Sequence, residues 1–231
     1  LALLALLAAT APAALAQHQA VRGAEPAEHP CGPIYTRHYG PYDFRTQRGA
    51  LAIVEEFHFD ARVEAGIRGI NGPVGGDINY TLKASPNHHR ALVTLMNVTT
   101  RTKADRLPGM DWPMECYFDR AMRFRPDDSV VRSLYGQWLY GRQRPQEAEQ
   151  QLQRATELAR DNAFSQFNIG LIYSQAGRHD LALRQAHRAL AMGFPRQELV
   201  ESLKRVNAWR EPDAPAPAAA EAAASQAGAR P

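Results

Sequence analysis

The chain has 231 residues, a hydrophobic fraction of 45% and a formal net charge of +3. That apolar content excludes a wholly disordered polypeptide and suffices for one large core or two small ones. The basic residues are scattered through both halves with no basic stripe and no interleaved aromatics, which argues against nucleic acid as a partner.

The chain starts with LALLALLAATAPAALA, an apolar run closing on Ala14-Leu15-Ala16, the small-x-small pattern that a signal peptidase admits. Residues 1–16 are therefore expected to be a signal peptide, and the mature protein to be periplasmic or secreted. The run is shorter than the ~20 residues of a spanning helix and turns polar at Gln17, so no stable membrane anchor is expected. Residues 17–48 are rich in Pro, Gly, Tyr and His and show no period. They predict an extended arm lying on helices, with Tyr35, Tyr39, Tyr42 and Phe44 as its contact area.

The chain has only two cysteines, Cys31 and Cys116, which suit an oxidising compartment. Bonded, they would close a loop worth roughly 4–5 kcal/mol of chain entropy and pin the arm to the segment WPMECYFDRAMRF; the alternative is two unrelated thiols. Cys116 lies off the seam through Phe118 and Ala121 and is expected to face outward.

Residues 49–85 form an N-terminal helical segment, with helices predicted over Thr46 to Phe59 and Asp60 to Gly69, then a loop GINGPVGGD. No Lys-Ser/Thr follows those glycines and no strand precedes them, so they mark a tight connection and not a phosphate cradle. His88 and His89 in SPNHHR, with His58 in EEFHFD, are the candidate metal ligands and define a rival reading as a metal-dependent periplasmic enzyme. Neighbouring residues sit about 100° apart around a helix, so His88 and His89 point in different directions, whereas helical metal pairs are spaced four apart. Neither a nucleophile elbow nor a CxxC pair occurs, and no cofactor is expected.

The second half repeats itself. LYGQWLYGRQRPQEAEQQLQRATELARDN aligns with NIGLIYSQAGRHDLALRQAHRALAMGFPR, matching Gly136 with Gly170, Ala148 with Ala182 and Ala155 with Ala189, each 34 residues apart. Ala148, Leu152, Ala155 and Leu158 recur at helical spacing, so one face is buried. Gly177 reads as a C-cap, and Asp127-Asp128 and Asp161-Asn162 as N-cap chemistry.

This pattern resembles the tetratricopeptide repeat family. The second copy carries Ile169, Gly170, Tyr173, Gly177, Ala182, Ala189 and Leu190 at the signature positions; the first departs at Leu139 and Arg160. RAMRFRPDD and, more divergently, YTLKASPNHH match the endings of earlier units through Ala121, Met122 and Pro126, then Thr81, Leu82 and Pro86. That register makes Pro86-Asn87-His88 a turn between helices, with Asn87 as its candidate cap. The region GDINYTL…PNHHRAL also resembles that of a group of proteobacterial exported repeat proteins.

The resemblance implies an all-α fold: a right-handed superhelix of stacked antiparallel helix pairs over residues 86–196. It comprises about three units, the first divergent, after the N-terminal helical and extended segment. Residues 197–210, overlapping an amphipathic stretch from Pro195 to Trp209, would be the capping helix. Residues 211–231 hold only Ala, Pro and polar side chains and are expected to be a disordered tail. The family resemblance further implies an interaction scaffold binding a peptide or partner protein in a concave groove. By register the groove would be lined by Asn97, Thr100, Ser133, Gln137, Tyr140, Phe167, Leu171 and Ser174, a polar surface with little charge.

Overall fold

A computed structural model describes residues 29–70 and 72–212. The predicted signal peptide, the first part of the arm and all but two residues of the predicted tail lie outside the described residues. Among the described residues there are ten helices and no strand, so the fold is all-α. In chain order they are α1 (Arg48–His58), α2 (Ala61–Glu64), α3 (Val74–Ala84), α4 (His89–Thr102), α5 (Met114–Phe124), α6 (Ser129–Gly141), α7 (Pro145–Leu158), α8 (Ala163–Gln175), α9 (His179–Ala191) and α10 (Glu198–Arg205).

Three of these differ from the sequence expectation. The helix predicted from Asp60 to Gly69 is a single turn: Asp60 caps it through the Arg62 and Val63 amides, but Gly66 adopts φ 64° and breaks the course. The predicted loop GINGPVGGD ends early, because Val74–Asp77 already form the first turn of α3 behind Pro73. Gly75 is there for packing: a Cβ would lie 2.9 Å from Leu107 Cβ and 3.3 Å from Met110 Cγ. The final helix, expected over residues 197–210, is confined to Glu198–Arg205.

Helices α6 and α7 pair, as do α8 and α9; α6 lies beside α4 and α8, and α10 packs on α8 and α9. Small residues set these close approaches. A Cβ on Gly136 would come within 2.7 Å of Leu152 Cγ and 3.1 Å of the Ala148 carbonyl, so α6 and α7 meet at a distance only glycine allows. One apolar cluster spans α2 to the start of α7 around Leu92, Leu95, Phe118 and Leu139, and a second joins α7 to α10 around Leu152, Ile169, Ala186 and Leu203. Tyr140 packs against both.

Helix ends are satisfied locally. Asp128 and Asn162 accept amide hydrogen bonds at the starts of α6 and α8. At the ends of α6, α8, α9 and α10, Gln143, Gly177, Gly193 and Asn207 turn left-handed, and the next amide returns to Leu139, Tyr173, Ala189 and Leu203 respectively. The fully buried Gln166 donates its side-chain amide to the Thr156 and Ala159 carbonyls at the end of α7.

The described arm, residues 29–47, lies on the helices without regular structure of its own. Ile34 and Phe44 are buried, whereas Tyr35 and Tyr39 are exposed. Cys31 and Cys116 form a disulfide. Cys116 is accordingly buried, not outward-facing, on the side of α5 that receives the arm.

Candidate functional site

Helices α4, α6 and α8 lie side by side and leave two adjoining hollows. The hollow between α6 and α8 has a volume of about 290 Å³; Leu134, Phe164, Leu171 and Ile172 supply its apolar walls, with Ser133, Gln137 and Asn168 as polar points. Between α4 and α6 lies a second hollow of about 560 Å³, lined by Asn97, Thr100, Gln137, Trp138 and the cations Lys103 and Arg142, among others. Gln137 lines both, which makes them one trough with an apolar slot at one end and positive charge at the other.

Two polar side chains, Trp138 and Arg142, stack at the charged end of this trough. Trp138 is 7% exposed, and its indole Nε1 has no hydrogen-bond partner. Arg142 covers the Trp138 ring at 4.9 Å and pairs with Asp105 at 2.5 Å. Phe164 is 54% exposed at the mouth of the apolar slot.

Of the eight residues expected in the groove, Asn97, Thr100, Ser133, Gln137 and Leu171 line the trough. Tyr140, Phe167 and Ser174 do not. Tyr140 packs between the two apolar clusters, Phe167 is buried 4.9 Å from the Phe194 ring, and Ser174 hydrogen-bonds Ser202 of α10. The 34-residue register carries Ser133 onto Phe167 and Tyr140 onto Ser174. The equivalent positions that both line the slot are instead Val130 and Phe164, Leu134 and Asn168, Gln137 and Leu171. Sequence reasoning also missed Lys103, Trp138 and Arg142, so the trough carries more charge than expected. Lys103 and Trp138 follow Thr99 and Leu134 by four residues, and Arg142 follows Trp138 by four; that i, i+4 spacing was the available signal.

The histidines have separate duties. His58 Nδ1 lies 2.9 Å from Asp77 and its ring stacks on Tyr80, with centroids 3.7 Å apart. His88, and not Asn87 as expected, caps α4: its Nδ1 accepts the Ala91 amide at 3.1 Å, so Nε2 carries the proton and donates to Glu55 at 2.9 Å. His89 Nε2 meets Asp128 at 2.8 Å. His58, His88 and His89 form no common cluster of metal-ligand atoms; among the described residues the cluster of that kind is His29, Cys31 and Asp119.

Asn87 is fully buried at the junction of arm and helices. Its side chain donates to Asp43 at 2.8 Å and Asp128 at 2.9 Å and accepts the Phe44 amide at 3.1 Å. Burial alone would raise the Asp43 and Asp128 carboxyls. Hydrogen bonds from Arg45, Asn87 and Arg125 to Asp43, and from His89, Asn87 and the Val131 amide to Asp128, instead hold both below the ordinary carboxylate range.

On the opposite side, α7 and α9 border a cleft of about 1420 Å³ with both arginines and carboxylates at its rim. Ion pairs of Arg154 with Glu157 and of Glu149 with Arg178 already engage part of that charge. No helix among the described residues is long and apolar enough to cross a membrane.

No protein-family model, curated protein or solved structure matches the chain.

Proposed function

We propose that the protein is an exported interaction scaffold of the tetratricopeptide repeat type, its helix pairs stacked as a right-handed superhelix, and that it binds an extended peptide of a partner protein in the α4–α6–α8 trough. The observation that carries this reading is the continuity of the trough through Gln137. An apolar side chain of the peptide fits the slot between Leu134 and Leu171. An acidic side chain suits Lys103 and Arg142, and peptide backbone groups suit the Gln137 and Asn97 amides. The 34-residue recurrence of Gly136 and Gly170 at the close helix contacts supports the repeat reading, and the Cys31–Cys116 disulfide supports an oxidising, extracytoplasmic location.

The test is peptide selection from a random library on the immobilised full chain, followed by binding measurements. Selected peptides are expected to combine one large apolar residue with a nearby Asp or Glu. Leu171→Ala combined with Gln137→Ala should weaken them at least tenfold, about 1.4 kcal/mol, with the helical circular dichroism signal retained at the assay temperature. Lys103→Glu should remove the preference for acidic residues. Selected peptides whose affinity ignores all three substitutions would refute the trough as the binding surface.

A further inference from the structure

The corner that holds the disulfide contains two more side chains of metal-ligand chemistry. An imidazole nitrogen of His29, Cys31 Sγ and a carboxylate oxygen of Asp119 all lie within 4.8 Å of one another, and Cys116 Sγ is bonded to Cys31 Sγ. Asp119 follows Cys116 by three positions on α5, so both leave the helix on the side facing the arm. His29, Cys31 and Asp119 are only partly buried, so an ion in solution can reach them.

Contacts independent of the disulfide hold these groups in place. Arg120 donates to the Cys31 carbonyl at 3.1 Å and the Pro33 carbonyl at 2.7 Å, and Arg123 donates to the Gly32 carbonyl at 2.9 Å. The Cys31 amide donates to His29 Nδ1 at 3.2 Å, and that nitrogen lies 3.7 Å from Asp119 Oδ2. Arg123 Nε also donates to Asp119 Oδ2 at 2.8 Å; it orients the carboxylate and competes with a cation for it. With the sulfurs bonded to each other, one imidazole and one carboxylate remain, too few donors to hold an ion tightly.

We propose that reduction of the Cys31–Cys116 disulfide opens a zinc-type site made of Cys31, Cys116, His29 and Asp119. A dithiol reductant supplies two electrons and two protons; the S–S bond breaks to give two thiols, and the reductant closes to its own disulfide. A divalent ion then replaces the two thiol protons, which leave to solvent, and forms two metal–thiolate bonds. The His29 imidazole and the Asp119 carboxylate complete four-coordination. Two thiolates with one imidazole and one carboxylate select zinc over magnesium or calcium.

The experiment uses the full chain, reduced with a dithiol, freed of it under anaerobic conditions and titrated with cobalt(II) as a spectroscopic stand-in for zinc. The expected result is a thiolate-to-cobalt charge-transfer band with the intense visible bands of tetrahedral cobalt, saturating at a single equivalent and bleached by zinc. The oxidised chain should show neither band. His29→Ala and Asp119→Ala, which leave the cysteines untouched, should each shift the visible bands and weaken cobalt binding at least about tenfold. Far-ultraviolet circular dichroism follows the helices throughout. The proposal is overturned by absence of the charge-transfer band in the reduced chain, by unchanged titrations in both variants, or by cobalt uptake only after the helical signal is lost.

Discussion

Both ring nitrogens of His88 are engaged, Nδ1 by the Ala91 amide and Nε2 by Glu55, and the side chain is fully buried. Burial lowers its pKa from 6.5 to about 4, outweighing the opposing pull of Glu55. An unfolded chain takes up this proton near pH 6.5, while the folded chain refuses it until about pH 4. The unfolded state therefore binds more protons across that window, and stability falls as pH drops through it, by up to ~1.4 kcal/mol per pH unit. Urea denaturation at pH 7 and pH 5 should show that loss in the native chain and a smaller one in His88→Asn, which keeps a capping oxygen but cannot titrate. Asp43 and Asp128 act later, their contribution being lost only as pH falls below the ordinary 3.8. Asn87→Ala would leave the Phe44 amide and two buried carboxylates short of a partner. We expect a loss of about 3 kcal/mol at neutral pH, read as a lowered urea midpoint. None of this junction was legible in SPNHHR, because every partner of Asn87 except its chain neighbours is about 40 residues away in sequence.

At the scale of helices, glycine does opposite work within one element. Gly136 sits in the middle of α6 where a Cβ would meet Leu152 and Ala148, while Gly141 ends the same helix with open space around it. Gly136→Ala should destabilise by about 1–3 kcal/mol through overpacking, whereas Gly141→Ala should be neutral or stabilise by up to about 1 kcal/mol. Equilibrium denaturation of the two variants side by side checks the contrast; equal effects would contradict a close α6–α7 approach at Gly136. Sequence signals located these helices well where caps and period agreed, as for Asp128, Asn162 and Gly177. They failed where ordinary residues did a special job. Gln143 and Asn207 adopt the same left-handed turn as Gly177 and Gly193, and Gly75 and Gly76 lie inside a helix although they read as a loop.

Across the whole molecule, the 34-residue interval between Gly136 and Gly170 anticipated which helices pair, because the interval fixes where the chain can afford a close approach. It could not specify which way each side chain turns once α10 covers the far side of α8. That is why Phe167 and Ser174 serve the core and the α10 contact while Phe164 and Asn168 reach the trough. Nor could it reveal the disulfide corner, whose four side chains come from segments that share no sequence pattern. His29 and Cys31 belong to the arm, Cys116 and Asp119 to α5, and only packing brings them together.

The bond between Cys31 and Cys116 also closes a ring, and the connection from α4 to α5 lies inside it. That connection presents Lys103 and Arg106 on the surface. Limited trypsin digestion that cuts there should leave one species on a non-reducing gel and two fragments once a reductant is added; fragments that separate without reductant would contradict the closed ring. A backbone break at that point does not release either piece. The severed ends stay at high effective concentration, so a nicked molecule keeps the means to hold its fold and its trough together.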